Sequence, residues 1–131
     1  MITVLTWNIQ NGQGVDGNIS LKRIAESILN MCDPDIICLQ EVSVNCRLSD
    51  GTQPDQVKEL SNLFSDYSVF FCPAYDIKRV YSEVREQYGN LILSKFPVLS
   101  SFIHILPQSF NSSFIQFPLQ LSLITFKTPL F

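Results

Sequence analysis

The sequence predicts an α/β domain seeded by a βαβ unit, and three segments in succession predict it. Residues 2–9, ITVLTWNI, are β-branched and aromatic, the composition of a strand. Residues 20–32, SLKRIAESILNMC, place Leu21, Ile24, Ala25, Ile28 and Leu29 at i, i+3, i+4, i+7 and i+8, which is one apolar helical stripe. Residues 36–42, IICLQEV, form a continuous apolar run of the kind found in strands buried on both faces.

The boundaries agree with that reading. Asn18 or Ser20 can cap the helix start, and Pro34 in DPD stops it, because proline cannot continue a helix and restricts its predecessor. Between the first strand and the helix lies the loop QNGQGVDGN, with Gly12, Gly14 and Gly17. Two parallel strands joined by a crossover helix have their carboxyl ends on one sheet edge, where open α/β sheets bind ligands. Asn8 ends the first strand and Glu41 the second, so the two can meet.

Further along, PDQVKELSNLF (54–64) predicts a short helix with Val57, Leu60, Leu63 and Phe64 on one face. YSVFFCPAY (67–75) predicts a third strand. Residues 76–88 carry most of the remaining charge and read as an exposed segment. GNLILSKFPV (89–98) reads as strand and turn, SFIHIL (101–106) as a strand, and LQLSLITFKT (119–128) as a strand of an antiparallel pair. From Phe96 to Phe131 the only charged residue is Lys127.

Length and composition narrow the function classes. At 131 residues the chain suits one domain. With 46% hydrophobic and 16% charged residues, disorder is excluded on composition. A net charge of −3 gives no basic footprint for nucleic acid, although metal ions can supply positive charge where phosphate sits. Cys32, Cys38, Cys46 and Cys72 include no CxxC pair and no neighbouring histidine, which argues against zinc. The start of the chain lacks the basic region and apolar length of a signal peptide, so a cytoplasmic protein with reduced thiols is expected. No apolar run nears the roughly 18 residues needed to span a bilayer.

Glu41 is the first candidate for chemistry. A carboxylate at the mouth of a buried strand is costly to desolvate unpaired, and a hard cation is its natural partner. Mg²⁺ uses one or two protein carboxylates, keeps waters and completes its shell with phosphate oxygens. Asn8 beside it can donate to a phosphate oxygen or orient a metal-bound water, or it can simply close a turn. Gln10 and Asn11 are assigned to the turn, and Gln40 to packing on the opposite face. The glycine loop lacks the Lys-Ser/Thr of a P-loop. Asn90 has two equal readings, at the same sheet edge or shaping a turn. His104, the single histidine, reads as an ordinary strand residue, and no serine sits in a nucleophile elbow.

Together, TWNIQNGQG, DPDIICLQEV and YGNLILSKFPVLS resemble the endonuclease/exonuclease/phosphatase superfamily of DNase I-like metal-dependent phosphoesterases, over roughly residues 2–106. The resemblance implies a four-layer αββα sandwich, of which this chain would be the N-terminal portion, one apparently truncated domain over residues 1–131. It implies Glu41 as the Mg²⁺ or Mn²⁺ ligand, with Asn8 serving metal-bound water and phosphate. It also implies in-line attack of water on a phosphodiester or phosphomonoester. Substrates across that superfamily include nucleic acids, nucleotides, inositol phosphates and phospholipid head groups. The family's later motifs, a THL-like histidine, a GDFN-like Asp/Asn pair and a closing Asp-His pair, are absent from the sequence, and His104 does not replace them. An impaired or inactive hydrolase that self-associates through uncovered edges is therefore expected. The alternatives are a catalytically dead binding module that retains the first layer, and a generic α/β domain in which Asn8 and Glu41 are structural.

Overall fold

The computed structural model describes residues 1–105 and 120–126. Strand β1 (Val4–Asn8) leads through a single 3₁₀ turn at Gln10–Gly12 into helix α1 (Leu21–Met31) and then strand β2 (Ile36–Val44). β1 and β2 are parallel, with Val4 opposite Ile36 and Asn8 opposite Gln40. Ser20 is the α1 cap, its hydroxyl accepting from the Arg23 amide at 3.2 Å. Leu21, Ile24, Ala25 and Ile28 are buried against the sheet, whereas Leu29, the last residue of the anticipated stripe, is half exposed. Burying each of the large aliphatic side chains is worth about 2 kcal/mol.

The remaining elements are helix α2 (Gln56–Leu63), strands β3 (Ser68–Lys78) and β4 (Arg85–Ser94), and strands β5 (Val98–Ile105) and β6 (Gln120–Phe126). The first sheet has the order β1-β2-β4-β3, with β4 antiparallel to both neighbours. β5 and β6 form a separate antiparallel pair, matching the strands anticipated at 101–106 and 119–128. Positions 106, 119, 127 and 128 of those ranges lie outside the described residues. One core unites α1, α2 and the sheet through Ile28, Ile37, Leu39, Leu60, Phe64, Leu91 and Leu93.

Three expectations need correction. β2 is not buried on both faces: Ile37 and Leu39 are inaccessible while Ile36, Cys38 and Gln40 are only partly covered. Its burial alternates because the core with α1 and α2 takes one set of side chains. Residues 76–88 are not simply an exposed segment, since they supply the end of β3 and the start of β4. Both faces of that ribbon are wet, so no apolar alternation marks it. Instead Arg85 pairs with Asp76 at 2.6 Å and Arg79 with Glu86 at 2.8 Å, exposed ion pairs of modest worth. Finally, Gly89 and Asn90 lie inside β4, not ahead of it.

Gly89 is glycine for a steric reason. It stands opposite Val42, just past an irregularity in β2, and opposite Pro73, beside a second irregularity in β3. A Cβ there would sit 2.1 Å from the Cys72 carbonyl oxygen and 2.8 Å from the Pro73 Cα. Gly17 has a φ of +78° but open space around it. Gly89→Ala is therefore expected to destabilise the fold by about 3 kcal/mol through overpacking against backbone. Gly17→Ala should cost only about 1 kcal/mol of left-handed strain. Denaturant melts of the two variants check this, and equal losses would contradict it.

Candidate active site

The site is built where β1 stops and β2 continues. The last β1 pairing is Asn8 with Gln40, and the Ile9 amide adds one more bond to the Gln40 carbonyl at 3.1 Å. β2 runs on to Val44. Glu41 therefore does not end its strand, as the sequence suggests, but sits in a bulge between Leu39 and Val42 with a φ of +60°. Bulges re-aim a side chain out of the regular alternation. In the ladder Leu39 opposes Leu91 and Val42 opposes Gly89, which leaves Asn90 opposite the bulge. Asn90 therefore lies inside β4 across from the bulge and shapes no turn.

The chain leaving β1 is equally unusual. Gln10, Asn11 and Gly12 have successive φ values of +49°, +56° and +79°. A left-handed conformation costs most L-residues about 1–2 kcal/mol, and Asn tolerates it best. Such strain persists where surrounding structure holds it, commonly at functional sites.

Asn8 and Glu41 meet. The Asn8 Nδ2 donates to Glu41 Oε1 at 2.8 Å, and Asn8 Oδ1 accepts from the Gln10 amide at 3.0 Å. One end of the Asn8 amide thus closes the turn, and the other reaches the carboxylate. Tyr88 of β4 also hydrogen-bonds Glu41, and burial together with the Glu41 charge holds its phenol well above the usual range. Among the described residues Glu41 forms no ion pair. Gln40, as expected, is structural: its Nε2 donates to Thr6 Oγ1 and to the Cys38 carbonyl, both at 3.0 Å.

Two participants escape sequence reasoning. Tyr88 lies in the charged stretch that read as an exposed segment; its opposition to Ser43 puts it diagonal to Glu41, within reach of an aromatic side chain. Gln56, the first residue of α2, is inaccessible to solvent. Its Nε2 donates to the Asn11 carbonyl at 2.7 Å, and its Oε1 accepts from the Ser43 amide and hydroxyl at 3.1 and 3.2 Å. A glutamine at a helix start gives no signal in sequence that it is buried.

Beside Asn8 a cleft of about 380 Å³ is lined by Trp7, Gln10, Gln13, Arg23 and Ser27. The loop over it is braced by Arg23, which donates to both Asp16 oxygens at 2.9 and 3.3 Å and to the Asn18 carbonyl at 2.8 Å. Arg23 and Asn18 hold the Asp16 carboxyl down at about 2. His104 is exposed on β5, its ring stacked on Phe102 at 6.3 Å, and it joins no contact with Asn8 or Glu41. No cluster of three or more His, Cys, Asp or Glu exists among the described residues.

The amide and the carboxylate converge on an α/β fold of the DNase I-like type. The chain belongs to the Endonuclease/Exonuclease/phosphatase family, whose model matches residues 5–114. Its architecture is similar to the crystal structure of an endonuclease/exonuclease/phosphatase from Beutenbergia cavernae DSM 12333, with a TM-score of 0.73 and 22% identity. The match covers 98% of this chain and 35% of that one, so the chain spans about a third of the length of that protein. No curated protein matches the chain.

The brace has a pH signature. Because the folded Asp16 pKa is about 2, against an ordinary 3.8, its stabilisation is complete above the ordinary value and is lost as pH falls from there through about 2. In Arg23→Gln the Asp16 carboxyl is expected to titrate higher than in the unmodified chain but still below 3.8, because both Asn18 hydrogen bonds to it remain. Carboxyl-detected NMR titration of both proteins checks this, and an unchanged midpoint would show that Arg23 is not the cause.

Proposed function

We propose that the Asn8–Glu41 edge is the metal-facing wall of a phosphoesterase site, acting on a phosphodiester or phosphomonoester. One observation carries the reading: Glu41 is held in a strained bulge by neutral donors, Asn8 and Tyr88, with no cation to balance it among the described residues. A partly buried carboxylate fixed in place without a counter-charge favours a hard divalent ion.

The donor set fits such an ion. Glu41 offers carboxylate oxygen, and Asn8 offers an amide oxygen with one lone pair still unused by Gln10. Glu41 would hold Mg²⁺ or Mn²⁺, while Asn8 would address metal-bound water or a phosphate oxygen. Asn90, across the bulge, is placed to meet the substrate at the same edge. When bound, the ion neutralises charge on the phosphoryl oxygens and favours in-line attack by water. The protein's part is orientation: β1 and β4 each contribute a neutral donor that fixes the carboxylate carried by β2.

The substrate class is a phosphate ester, whether in nucleic acid, nucleotide, inositol phosphate or phospholipid head group. No helix among the described residues is long and apolar enough to cross a membrane. Among the described residues no group of three or more His, Cys, Asp or Glu could hold a metal ion, which favours a second reading, a catalytically dead binding or interaction module.

Mn²⁺ titration followed by water-proton relaxation tests the reading. The chain is expected to bind Mn²⁺, and Glu41→Gln to weaken binding at least about tenfold without lowering the melting temperature. Absence of Mn²⁺ binding by the unmodified chain would sink the enzyme reading and leave the interaction module. Hydrolysis of bis-p-nitrophenyl phosphate separates them: turnover that disappears in Glu41→Gln supports the enzyme, and binding without turnover supports the module.

A further inference from the structure

We infer that Gln56 is a positioning residue for the Asn8–Glu41 pair, acting on both partners from a helix that contributes nothing else to the site. The inference rests on the metal-facing role proposed for that pair, and it identifies what holds the pair's geometry. β2 outruns β1, so on the side away from β4 the Ser43 amide has no strand beside it, and a buried amide left unpaired is rare. Gln56 Oε1 takes that bond at 3.1 Å and also accepts the Ser43 hydroxyl at 3.2 Å. The other end of the same side chain donates to the Asn11 carbonyl at 2.7 Å, in the middle of the left-handed run at 10–12.

The consequence is a closed circuit. Gln56 fixes Asn11; the Gln10 amide, one residue earlier, holds Asn8 Oδ1 at 3.0 Å; Asn8 Nδ2 holds Glu41 Oε1 at 2.8 Å; and the chain runs from Glu41 through Val42 to Ser43, back to Gln56. Each segment of the circuit includes a residue at positive φ, Asn11 on one side and Glu41 on the other. Neither conformation is favoured locally. Both are tied to one inaccessible side chain, which cannot be replaced there by water without opening the core. The outer-shell partners that orient a metal ligand commonly govern affinity although they never touch the metal.

Two variants test this. Gln56→Met keeps the length of the side chain and removes its amide. Gln56→Glu keeps both bonds only while its carboxyl is protonated, since the hydroxyl can then donate to Asn11 while the carbonyl accepts from Ser43; once ionised it faces the Asn11 carbonyl with acceptors alone. Readouts are Mn²⁺ affinity well below the melting temperature, and the NMR signals of the Asn8 side-chain NH₂, which need no metal. For Gln56→Met we expect Mn²⁺ affinity to fall about tenfold and the Asn8 signals to shift or broaden. Gln56→Glu should follow the unmodified chain at acid pH and depart from it as pH rises. The comparison is made as a ratio at each pH, because Lys22, Asp50 and Glu59 on the groove beside Gln56 are common to both. Unchanged Asn8 signals and Mn²⁺ affinity in Gln56→Met, or in Gln56→Glu at high pH should the Met variant not fold, would overturn the inference. If the unmodified chain binds no Mn²⁺, the metal reading fails, and the Asn8 signals alone still decide the role of Gln56.

Discussion

β1 pairs with β2 only as far as Gln40, and β2 continues to Val44; the rest of the site follows from that mismatch in length. Past Gln40 the edge of β2 needs partners other than a strand. Side chains and a tight turn supply them: Gln56 for Ser43, Asn8 for Glu41, and a run of left-handed residues that folds the outgoing chain back under the edge. Against β4, Leu39 opposes Leu91 and Val42 opposes Gly89, so Glu41 lies outside the regular ladder that would confine its side chain to one face. The bulge instead frees it to meet donors from the strands on either side.

Those donors are neutral, and this choice has electrostatic meaning. An arginine or lysine at the position of Asn8 would neutralise Glu41 outright and leave nothing for a cation to do. Asn8 and Tyr88 orient the carboxylate while leaving its charge intact. Three of the four arginines are engaged elsewhere, Arg23 with Asp16 and Arg79 and Arg85 with the β3–β4 ribbon. Preorganisation of this kind has an energetic cost, carried by the positive φ at Gln10, Asn11 and Glu41. The inaccessible core beneath, with Ile37, Leu39 and Leu91 at zero exposure, supplies the rigidity that holds the strain.

Much of this was legible in the sequence because local patterns decide it. The βαβ unit announces itself through the 3.6-residue period of α1 and the apolar run of β2. The convergence of Asn8 and Glu41 then follows from parallel topology alone, and they lie within hydrogen-bonding distance. What stayed hidden depends on tertiary partners. The wet ribbon of β3 and β4 has no apolar alternation, so Tyr88 sat in a stretch that read as exposed. The bulge at Glu41 is set by the register against Gly89 and Leu91, which no local pattern in DIICLQEV encodes. Gln56 looks like any polar residue opening a helix, and only the unfilled edge of β2 gives its burial a reason.

The same surroundings bear on which cation the edge could accept. Cys38 and Cys46 lie near the site, and thiolates there would compete for soft metals. Burial pushes the Cys38 thiol up; burial, then the neighbouring Glu86 charge, does the same for Cys46, whose Sγ also donates to the Gln87 carbonyl at 3.2 Å. Both are thereby kept in the protonated form, which is a poor ligand. The donors left at the edge are carboxylate and amide oxygens, weakly polarisable and suited to Mg²⁺ or Mn²⁺ over zinc or copper. Such a preference would not come from a ligand cage, since Glu41 is a single carboxylate. It would come from burial that silences the sulfur while a bulge presents the oxygen.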